Sequence, residues 1–336
     1  MRLLWLRPST GDNISVRRER IAEHLRKHGV EVDIRDSSGF DAFPAALQAL
    51  TGDYDVIAGN VRIGLYIGYP IARLLRKPFL GDVSDPLSDI ESLPQFVFRV
   101  LEWYEWSVLK RTDATIFVYE SSFREAKARG IDAVKLPNAV DYEKFADPDV
   151  AVVSETQEIL ETDGVDLQKP MAVYIGGFSR EYHVTDILRA AREASDWEFV
   201  FVGEGPLEQE VVAAAAALQN VHFPGAFEYR MMPGFLAHAD AGFCFKDAEQ
   251  PLKLKEYGAA GIPAIVQSGE LERWYDDDEL IFTEPTAEAI ACLLTGISTE
   301  ALIEFGEKLQ NATNDFTWRQ VAGEYLEILK KEVSDS

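Results

Sequence analysis

The stretch that decides the fold runs from residue 246 to residue 266 and reads KDAEQPLKLKEYGAAGIPAIV. Residues 241–245 form a short apolar run just before it, which predicts a buried strand. A helical pattern begins at Lys253 and ends at Gly261 and Pro263, because glycine accepts the left-handed C-cap conformation and proline cannot continue a helix. A strand pattern resumes directly afterwards. The stretch therefore predicts a βαβ unit whose helix start directs free N–H groups toward the strand ends, where they suit an anionic ligand.

The same stretch resembles the donor-site motif of family 4 glycosyltransferases, a large retaining group with the GT-B fold of two facing Rossmann-like domains. One branch of that family writes the motif as SPxKxxEYxAxGxPV. The residues that match it in register are Pro251, Lys253, Glu256, Tyr257, Ala259, Gly261 and Pro263. The resemblance implies that Glu256 holds the ribose hydroxyls of a nucleotide-sugar and that Leu252 also lies at the donor. A carboxylate can accept hydrogen bonds from two vicinal hydroxyls, so the residue type fits that role.

One position of the donor motif departs from the family. Many members carry another glutamate eight residues before the ribose-binding one, whereas this chain has Ala248 there, and the nearest carboxylate, Glu249, is one residue away. Either Glu249 or the backbone amides of the loop would then contact the donor sugar. The competing interpretation is an exposed helix start with ordinary charges, and seven positions matched in order make it the weaker one.

A glycine pair follows another predicted strand at the start of the second domain. Gly176 and Gly177 let the backbone approach a diphosphate closely, although a glycine pair alone is also typical of an ordinary tight turn. The family places an arginine after the first glycine and a lysine five residues later, where this chain has Gly177 and Tyr182. We therefore assign the charge that stabilises the leaving phosphates to Arg180 in the same loop or to Lys253, as predicted catalytic cations.

Two further motifs lie in the second half of the chain. Residues 203–206 read GEGP and resemble the family's GDGP, and residues 220–225 read NVHFPG and resemble its NVxFxG. The resemblance implies that backbone groups of Ala226 and Phe227 contact the nucleobase. The three aspartates at 276–278 fit an acidic loop better than a metal site. The family requires no metal, and no cofactor is expected besides the nucleoside-diphosphate sugar that serves as donor substrate.

The first half of the chain alternates strand and helix patterns, as a parallel sheet requires. In the loop that follows the predicted strand near residue 80, Asp85 occupies roughly the place of a histidine that reaches the donor sugar in the family. The resemblance implies a catalytic Asp85 that orients the acceptor hydroxyl or takes its proton. A turn or helix-cap aspartate is an equal alternative. Arg17 and Arg18 either face the cleft or are solvated helix charges, and the second interpretation is favoured for at least one of them.

Residues 137–145 mark the exit from the first domain. They read PNAVDYEKF and resemble the family's PNGVDxxxF. The predicted domains are an acceptor domain at residues 1–150, a nucleotide-sugar domain at 165–312, and a helix at 313–333 that crosses back to the first domain. An acidic and polar connection over 146–168 is expected between the two domains.

A helix pattern over residues 93–109 is rich in aromatic residues. The residues that share one helical face, and so predict a core stripe, are Val97, Val100, Leu101, Tyr104 and Val108. The remaining aromatic residues, with Lys110 and Arg111 after them, suit either core packing or contact with a membrane surface or lipid acceptor. Core packing is the favoured interpretation.

Composition limits the partners and the setting. A chain of 336 residues with a hydrophobic fraction of 47% can form two domains. Its 57 acidic and 33 basic residues give a net charge of -24, which argues against nucleic acid because phosphate binding needs clustered lysine and arginine. The charge favours a salt-rich cytoplasm, as in a haloarchaeon, over an acidic mesophile, because salt screens self-repulsion. The two cysteines lack CxxC spacing and are typical of a reduced protein. The sequence has neither an apolar run long enough for a membrane span nor a signal-peptide pattern, so the chain is expected in the cytoplasm.

Together these motifs predict an α/β protein of the GT-B class, with two doubly wound Rossmann-like domains and a cleft between them. The expected activity is retaining transfer of a hexose or related sugar from a nucleoside-diphosphate sugar to an acceptor hydroxyl. A lipid-linked or surface glycan is the expected acceptor, and peripheral association with the inner membrane face is consistent with it. The alternatives are a UDP-sugar 2-epimerase of the same fold and a non-catalytic GT-B subunit that binds nucleotide-sugar or a partner glycosyltransferase.

Overall fold

The chain divides into two compact units in the computed structural model, which describes residues 1–7, 16–37, 39–84, 94–249 and 251–334. The first unit contains Met1–Ala139 together with Trp318–Ser336, and the second contains Val140–Thr317. Each unit is built on a six-stranded sheet whose neighbouring strands all pair in parallel. The predicted α/β class with two doubly wound units is confirmed.

Strands and helices alternate along the first unit. Its described elements before the chain leaves it are β1 (Arg2–Arg7), α1 (Val16–Lys27), β2 (Glu31–Asp36), α2 (Ala42–Thr51), β3 (Val56–Asn60), α3 (Val61–Leu75), β4 (Phe79–Val83), α4 (Gln95–Leu109), β5 (Ala114–Phe117), α5 (Glu120–Ala128) and β6 (Ala133–Lys135). The strand order is β2-β1-β3-β4-β5-β6. All residues of β3, β4 and β5 are buried, as expected for central strands of a parallel sheet with both faces covered.

The two arginines of α1 are buried, so the expectation of a solvated charge is wrong. Arg17 and Arg18 are 5% and 3% exposed. The Arg17 guanidinium donates to the carbonyl oxygens of Leu136 at 2.9 Å and Pro137 at 2.7 Å, and Arg18 donates to the side-chain oxygen of Asn60. Five donors on a guanidinium allow it to satisfy buried carbonyl groups that water cannot reach. These arginines therefore tie α1 to the loop after β6 and to the end of β3.

Helix α4 also differs from the expectation of core packing. Val97 and Val100 are 37% and 48% exposed, and the aromatic side chains of Phe96 and Trp103 are 78% and 69% exposed. Burial on the predicted stripe is complete only near Val108, which is 2% exposed. The last turn of α4 packs into the core at Val108 and Leu109, whereas Phe96, Val100 and Trp103 present apolar side chains at the surface.

The second unit has a doubly wound sheet. Its described elements are α6 (Tyr142–Ala146), α7 (Val150–Thr162), β7 (Met171–Ile175), α8 (Val184–Ala190), β8 (Glu198–Val202), α9 (Glu208–Ala217), β9 (Val221–Gly225), α10 (Met232–Ala237), β10 (Ala241–Cys244), α11 (Leu252–Ala260), β11 (Ala264–Gln267), β12 (Ile281–Thr283), α12 (Ala287–Gly296) and α13 (Thr299–Thr313). The strand order is β12-β11-β10-β7-β8-β9. The chain thus builds outward from β7 to β9, returns to pair β10 with β7, and builds outward again to β12.

The chain enters the second unit at Val140 and leaves it at Thr317, and these two residues are adjacent. The Val140 amide donates to the Phe316 carbonyl oxygen at 3.0 Å, and Val140 forms a parallel bridge with Thr317. Helix α14 (Trp318–Ser334) then belongs to the first unit, where Tyr325 packs against Trp5 with ring centroids 4.9 Å apart. The C-terminal helix thus packs in the first unit.

The observed boundaries differ from the predicted ones. Residues 140–150, predicted in the first domain, pack in the second unit, where the buried Phe145 joins the core. The expected connection over 146–168 is instead mostly helix α7 of the second unit. Phe145 is buried in the core of the second unit, so residues 140–150 belong to that unit and not to the first domain. Among the described residues, no single helix is long and apolar enough to span a bilayer, and only the bent pair α12 and α13 passes that test together.

Candidate functional site

The topology of the second unit places a crevice beside the carboxyl ends of β7 and β10. The chain continues from β7 to β8 on one side of this strand pair and from β10 to β11 on the other side. The loops that leave the two strands therefore diverge. In open α/β sheets, ligands bind at such a switch point. Gly176 and Gly177 follow β7, and residues 245–249 follow β10 ahead of α11. The two stretches singled out in the sequence are therefore brought to one edge of the sheet.

The loop after β7 and the adjacent loop after β8 both require glycine. Gly176 has a φ of 134°, and Gly203 after β8 has a φ of 147°. A Cβ atom on Gly203 would lie 2.0 Å from the carbonyl oxygen of Gly176, a distance that no side chain can adopt. The Gly176 amide donates to the Val202 carbonyl oxygen at 2.9 Å. The GEGP motif at 203–206 thus permits the close packing that fixes the Gly176 loop.

Lys253 extends from the first turn of α11 to this glycine loop. A Cβ atom on Gly176 would lie 2.8 Å from Lys253 Cε and 3.0 Å from Nζ, so glycine at 176 makes room for the ammonium. Lys253 Nζ stands 4.1 Å from the ring centroid of Tyr174 and 4.8 Å from that of Tyr182. Burial lowers the pKa of this ammonium to about 8, and repulsion from Lys246 acts in the same direction. No carboxylate of the described residues forms an ion pair with it.

A second lysine approaches the same aromatic ring. Lys246 Nζ lies 5.5 Å from the centroid of Tyr182, within the range of a cation–π contact. No carboxylate within the described ranges pairs with either Lys246 or Lys253, although the chain contains 57 acidic residues. The ring of Tyr182 thus contacts two ammonium groups, one from the loop after β10 and one from the first turn of α11.

Glu256 lies one turn after Lys253 on α11 and is half-buried. Burial raises the pKa of its carboxyl group, while a hydrogen bond from the Tyr229 hydroxyl and the charge of Lys253 oppose that shift. The Tyr229 ring is held by an edge contact with Phe145, with centroids 5.9 Å apart. A carboxylate oriented by one hydroxyl donor retains acceptor capacity for hydroxyls of a ligand.

The remaining predicted donor residues differ in how far they are buried. Glu249 is only 5% exposed in the loop before α11, and Leu252 is the first residue of that helix. Ala226 is exposed after β9, whereas Phe227 is half-buried against Phe235 with ring centroids 5.1 Å apart.

The two other predicted catalytic residues are not brought to Lys253 by any contact in the described ranges. Arg180 is exposed in the short 3-10 turn Arg180–Tyr182, and its guanidinium has no partner there. Asp85 lies outside the described residues.

Four residues of the site escaped the sequence-based assignment. Tyr182 was visible only as a departure from the family, and Lys246 only as the first residue of the decisive stretch. Tyr174 reads as an ordinary core residue of β7, yet its hydroxyl donates to the Gly177 carbonyl oxygen at 2.6 Å. Nothing in the sequence marks Tyr229.

The acidic run at 276–278 lies at the surface and forms an exposed ion pair. Asp278 pairs with Lys308 at 2.9 Å. Across the described residues, no group of three or more His, Cys, Asp or Glu side chains is placed to hold a metal ion.

Comparisons with known proteins point to one class. Residues 169–297 match the protein family described as Glycosyl transferases group 1. Alpha-maltose-1-phosphate synthase of Mycolicibacterium smegmatis is 25% identical over 270 residues, which cover 70% of this chain and 67% of that protein. The solved structure of Anabaena HepE in complex with UDP-glucose superposes with a TM-score of 0.75 at 16% identity, covering 98% of this chain and all of that one. Sucrose-phosphate synthase from Thermosynechococcus elongatus gives a TM-score of 0.75 at 15% identity over the full length of both chains.

The matches agree with the site. The family match covers β7 through the helix after β12 and so includes every residue of the crevice described above. The solved structures share the GT-B fold, and the family match and the curated relative support glycosyltransferase activity.

Proposed function

We propose that the second unit binds a nucleoside-diphosphate sugar at the crevice between the loops after β7 and β10. The protein would then transfer the sugar to an acceptor hydroxyl with retention, as in family 4. The observation that carries this proposal is the position of Lys253. Its ammonium lies against Gly176 and two aromatic rings, and no carboxylate of the described residues neutralises it. A partly desolvated cation beside a glycine loop and a helix start suits a diphosphate.

Each group has a role in the transfer. Glu256 accepts hydrogen bonds from the ribose hydroxyls, and Lys253 and Lys246 neutralise the diphosphate as the bond between the anomeric carbon and the phosphate oxygen breaks. The acceptor oxygen forms the new bond to the anomeric carbon on the same face. Its proton passes to the departing phosphate, so no metal or further cofactor takes part. Cations fixed before the reaction stabilise developing charge without reorganisation, which is usually the largest catalytic contribution.

The acceptor and setting are proposals of the same kind. The exposed apolar side chains of α4, Phe96, Val100 and Trp103, support a lipid-linked or surface glycan acceptor at the cytoplasmic face of a membrane. Asp85 would orient the acceptor hydroxyl, and Arg180 would supply charge second to Lys253. UDP-glucose is the first donor to test, because the similar Anabaena HepE was solved with it.

A binding and transfer screen tests the proposal. UDP, GDP and ADP are titrated by calorimetry, and the corresponding glucose and mannose donors are then assayed for transfer and for hydrolysis. Binding of at least one nucleoside diphosphate, followed by an α-linked product from an α-linked donor by NMR, is expected. Failure of every nucleotide to bind would overturn the donor-site assignment. Binding without transfer would favour the non-catalytic subunit, and release of a 2-epimeric sugar would favour the epimerase.

A further inference from the structure

Exposed apolar side chains are concentrated on one part of the first unit. Large hydrophobic residues that are exposed in the described part of the chain number 13, and nine of them lie between residues 40 and 103. The nine are Phe40, Phe43, Leu47, Leu50, Leu74, Phe96, Val97, Val100 and Trp103. Single exposed apolar residues need no explanation, but a concentration of this kind marks an interaction surface.

These side chains form stripes on neighbouring helices. Phe43, Leu47 and Leu50 are spaced at i, i+4 and i+7 on α2, and Phe96, Val100 and Trp103 repeat that spacing on α4. Residues with this spacing share one helical face. Helix α3 packs against both α2 and α4, so the three helices form one layer. We call the outward side of this layer, with these stripes, the α2–α4 face.

The charge of the three helices contrasts with that of the whole chain. They contain two acidic residues, Glu102 and the buried Glu105, and three basic residues. The chain as a whole carries 57 acidic against 33 basic residues. An acidic protein would be repelled by an anionic surface in almost every orientation. The three helices of the α2–α4 face carry a net charge of +1, so they do not add to that repulsion.

A groove of about 530 Å³, called the basic groove below, opens along α4 from Arg99 to the residues that follow its C-terminal end. Its lining includes Trp103, the four cations Arg99, Lys110, Arg111 and Arg129, and one carboxylate, Glu102. Arg129 is neutralised by Glu125 at 2.6 Å. The other three cations, Arg99, Lys110 and Arg111, form no ion pair with a carboxylate of the described ranges. Arg111 donates a hydrogen bond to the Ser107 carbonyl oxygen at 2.6 Å. The groove can therefore accept anionic groups.

We propose that the α2–α4 face docks on a bilayer that contains anionic phospholipids. Phe96 and Trp103 would enter the level of the headgroups, where aromatic side chains are favoured, and the basic groove would receive lipid phosphates. Each basic residue near an anionic surface contributes about 1 kcal/mol. An isologous dimer through this face would bring identical cations toward each other, which makes a second copy the weaker occupant. This docking rests on the membrane setting of the proposed function but does not involve the donor site, so it can fail while nucleotide binding stands.

Vesicle flotation tests the docking directly. The full chain is mixed with vesicles of phosphatidylcholine alone or with an equal part of phosphatidylglycerol, at the lowest salt that preserves its native circular dichroism. At least fivefold more protein should float with the anionic vesicles. Phe96→Ser with Trp103→Ser should reduce that fraction at least fivefold, and Arg99→Gln with Lys110→Gln and Arg111→Gln should abolish the preference for anionic lipid.

Matched controls separate docking from general effects. Val212→Ser with Ile303→Ser replaces two exposed apolar residues of the second unit and should leave flotation unchanged. The far-UV circular dichroism and the urea-unfolding midpoint of every variant should equal those of the wild type, which shows that the fold is intact. No flotation with anionic vesicles, or equal losses in the control variant, would overturn the proposal. Dimerisation that Trp103→Ser abolishes, without vesicle binding, would instead make the face a self-interface.

Discussion

The ammonium of Lys253 lies 4.1 Å from the ring centroid of Tyr174, although the two residues belong to different strand–loop units of the same sheet. The ring comes from β7 and the ammonium from the helix after β10, so the contact exists only because β7 and β10 are neighbours. It fixes a cation beside Gly176 without a salt bridge in the described part of the chain. Removing this cation is therefore the most direct test of the site.

Lys253→Met should lower turnover by at least ~10²-fold, the scale of removing one preorganised charge-stabilising group. Arg180→Ala should cost less, because Arg180 is exposed and does not reach the crevice by any described contact. Steady-state kinetics with the active donor measures both effects. Near-normal turnover of Lys253→Met would mean that the charge comes from elsewhere.

Tyr182→Leu should weaken binding of UDP by about fivefold, or about 1 kcal/mol, because it removes the ring that Lys246 and Lys253 both contact. Tyr182→Phe keeps the ring and should bind as the wild type does. Calorimetry with UDP and with uridine makes the comparison, since uridine lacks the phosphates and should show no loss. Equal weakening for both ligands would contradict a role in phosphate binding.

Glu256→Ala should weaken UDP binding by about 1–3 kcal/mol, the usual cost of leaving hydrogen-bonding partners unpaired. The loss should shrink for 2′-deoxyuridine diphosphate, because that ligand already lacks one of the hydroxyls that Glu256 is proposed to bind. Calorimetry of both ligands on both proteins forms a double-mutant cycle. Unchanged UDP affinity would remove the main support for the ribose assignment.

Lys255 carries a pH-dependent cost of folding. It is 3% exposed, with Nζ 3.5 Å from the Phe316 ring centroid, and burial lowers the pKa of its ammonium to about 8, against the weaker opposing effect of Glu279. The unfolded chain has the higher pKa, so it binds more protons between pH 8 and about 10.4, and stability rises with pH across that window. Below pH 8 the full cost of the buried charge is present.

Lys255→Met should therefore raise the free energy of unfolding by about 1–3 kcal/mol at pH 7, since one pKa unit corresponds to about 1.4 kcal/mol. It should also flatten the rise in stability between pH 8 and about pH 9.5. Urea unfolding of both proteins across this range measures the effect. Lys253→Met is measured beside it, because the lowered pKa of Lys253 also makes the free energy of unfolding rise with pH. A variant less stable than the wild type at pH 7 would contradict the prediction.

The net charge of -24 gives a prediction about salt. If the chain is adapted to a salt-rich cytoplasm, it should lose structure in dilute buffer and recover it in molar KCl, because the Debye length falls from above 10 Å to about 3 Å. Circular dichroism over a KCl titration measures this. Full stability at about 50 mM salt would show an ordinary acidic protein.

Local signals predicted the central βαβ unit of the second domain closely. The strand expected at 241–245 is observed at Ala241–Cys244, and the helix expected to begin at Lys253 and stop at Gly261 is observed at Leu252–Ala260. Gly261 adopts the predicted left-handed conformation with a φ of 74°. Such boundaries depend on neighbours in sequence, so one chain suffices to place them.

The sequence by itself determined the alternation of strands and helices and the two parallel sheets, because periodicity, caps and glycine positions act over a few residues. Only the tertiary structure decided which groups meet. The strand order β10-β7 brings Lys253 to Gly176, and Tyr182 to Lys246, across large separations in sequence. Tertiary packing in the first unit also buries the charged Arg17 and leaves the apolar Trp103 exposed. Burial depends on what packs against a face, and periodicity along one element cannot report that.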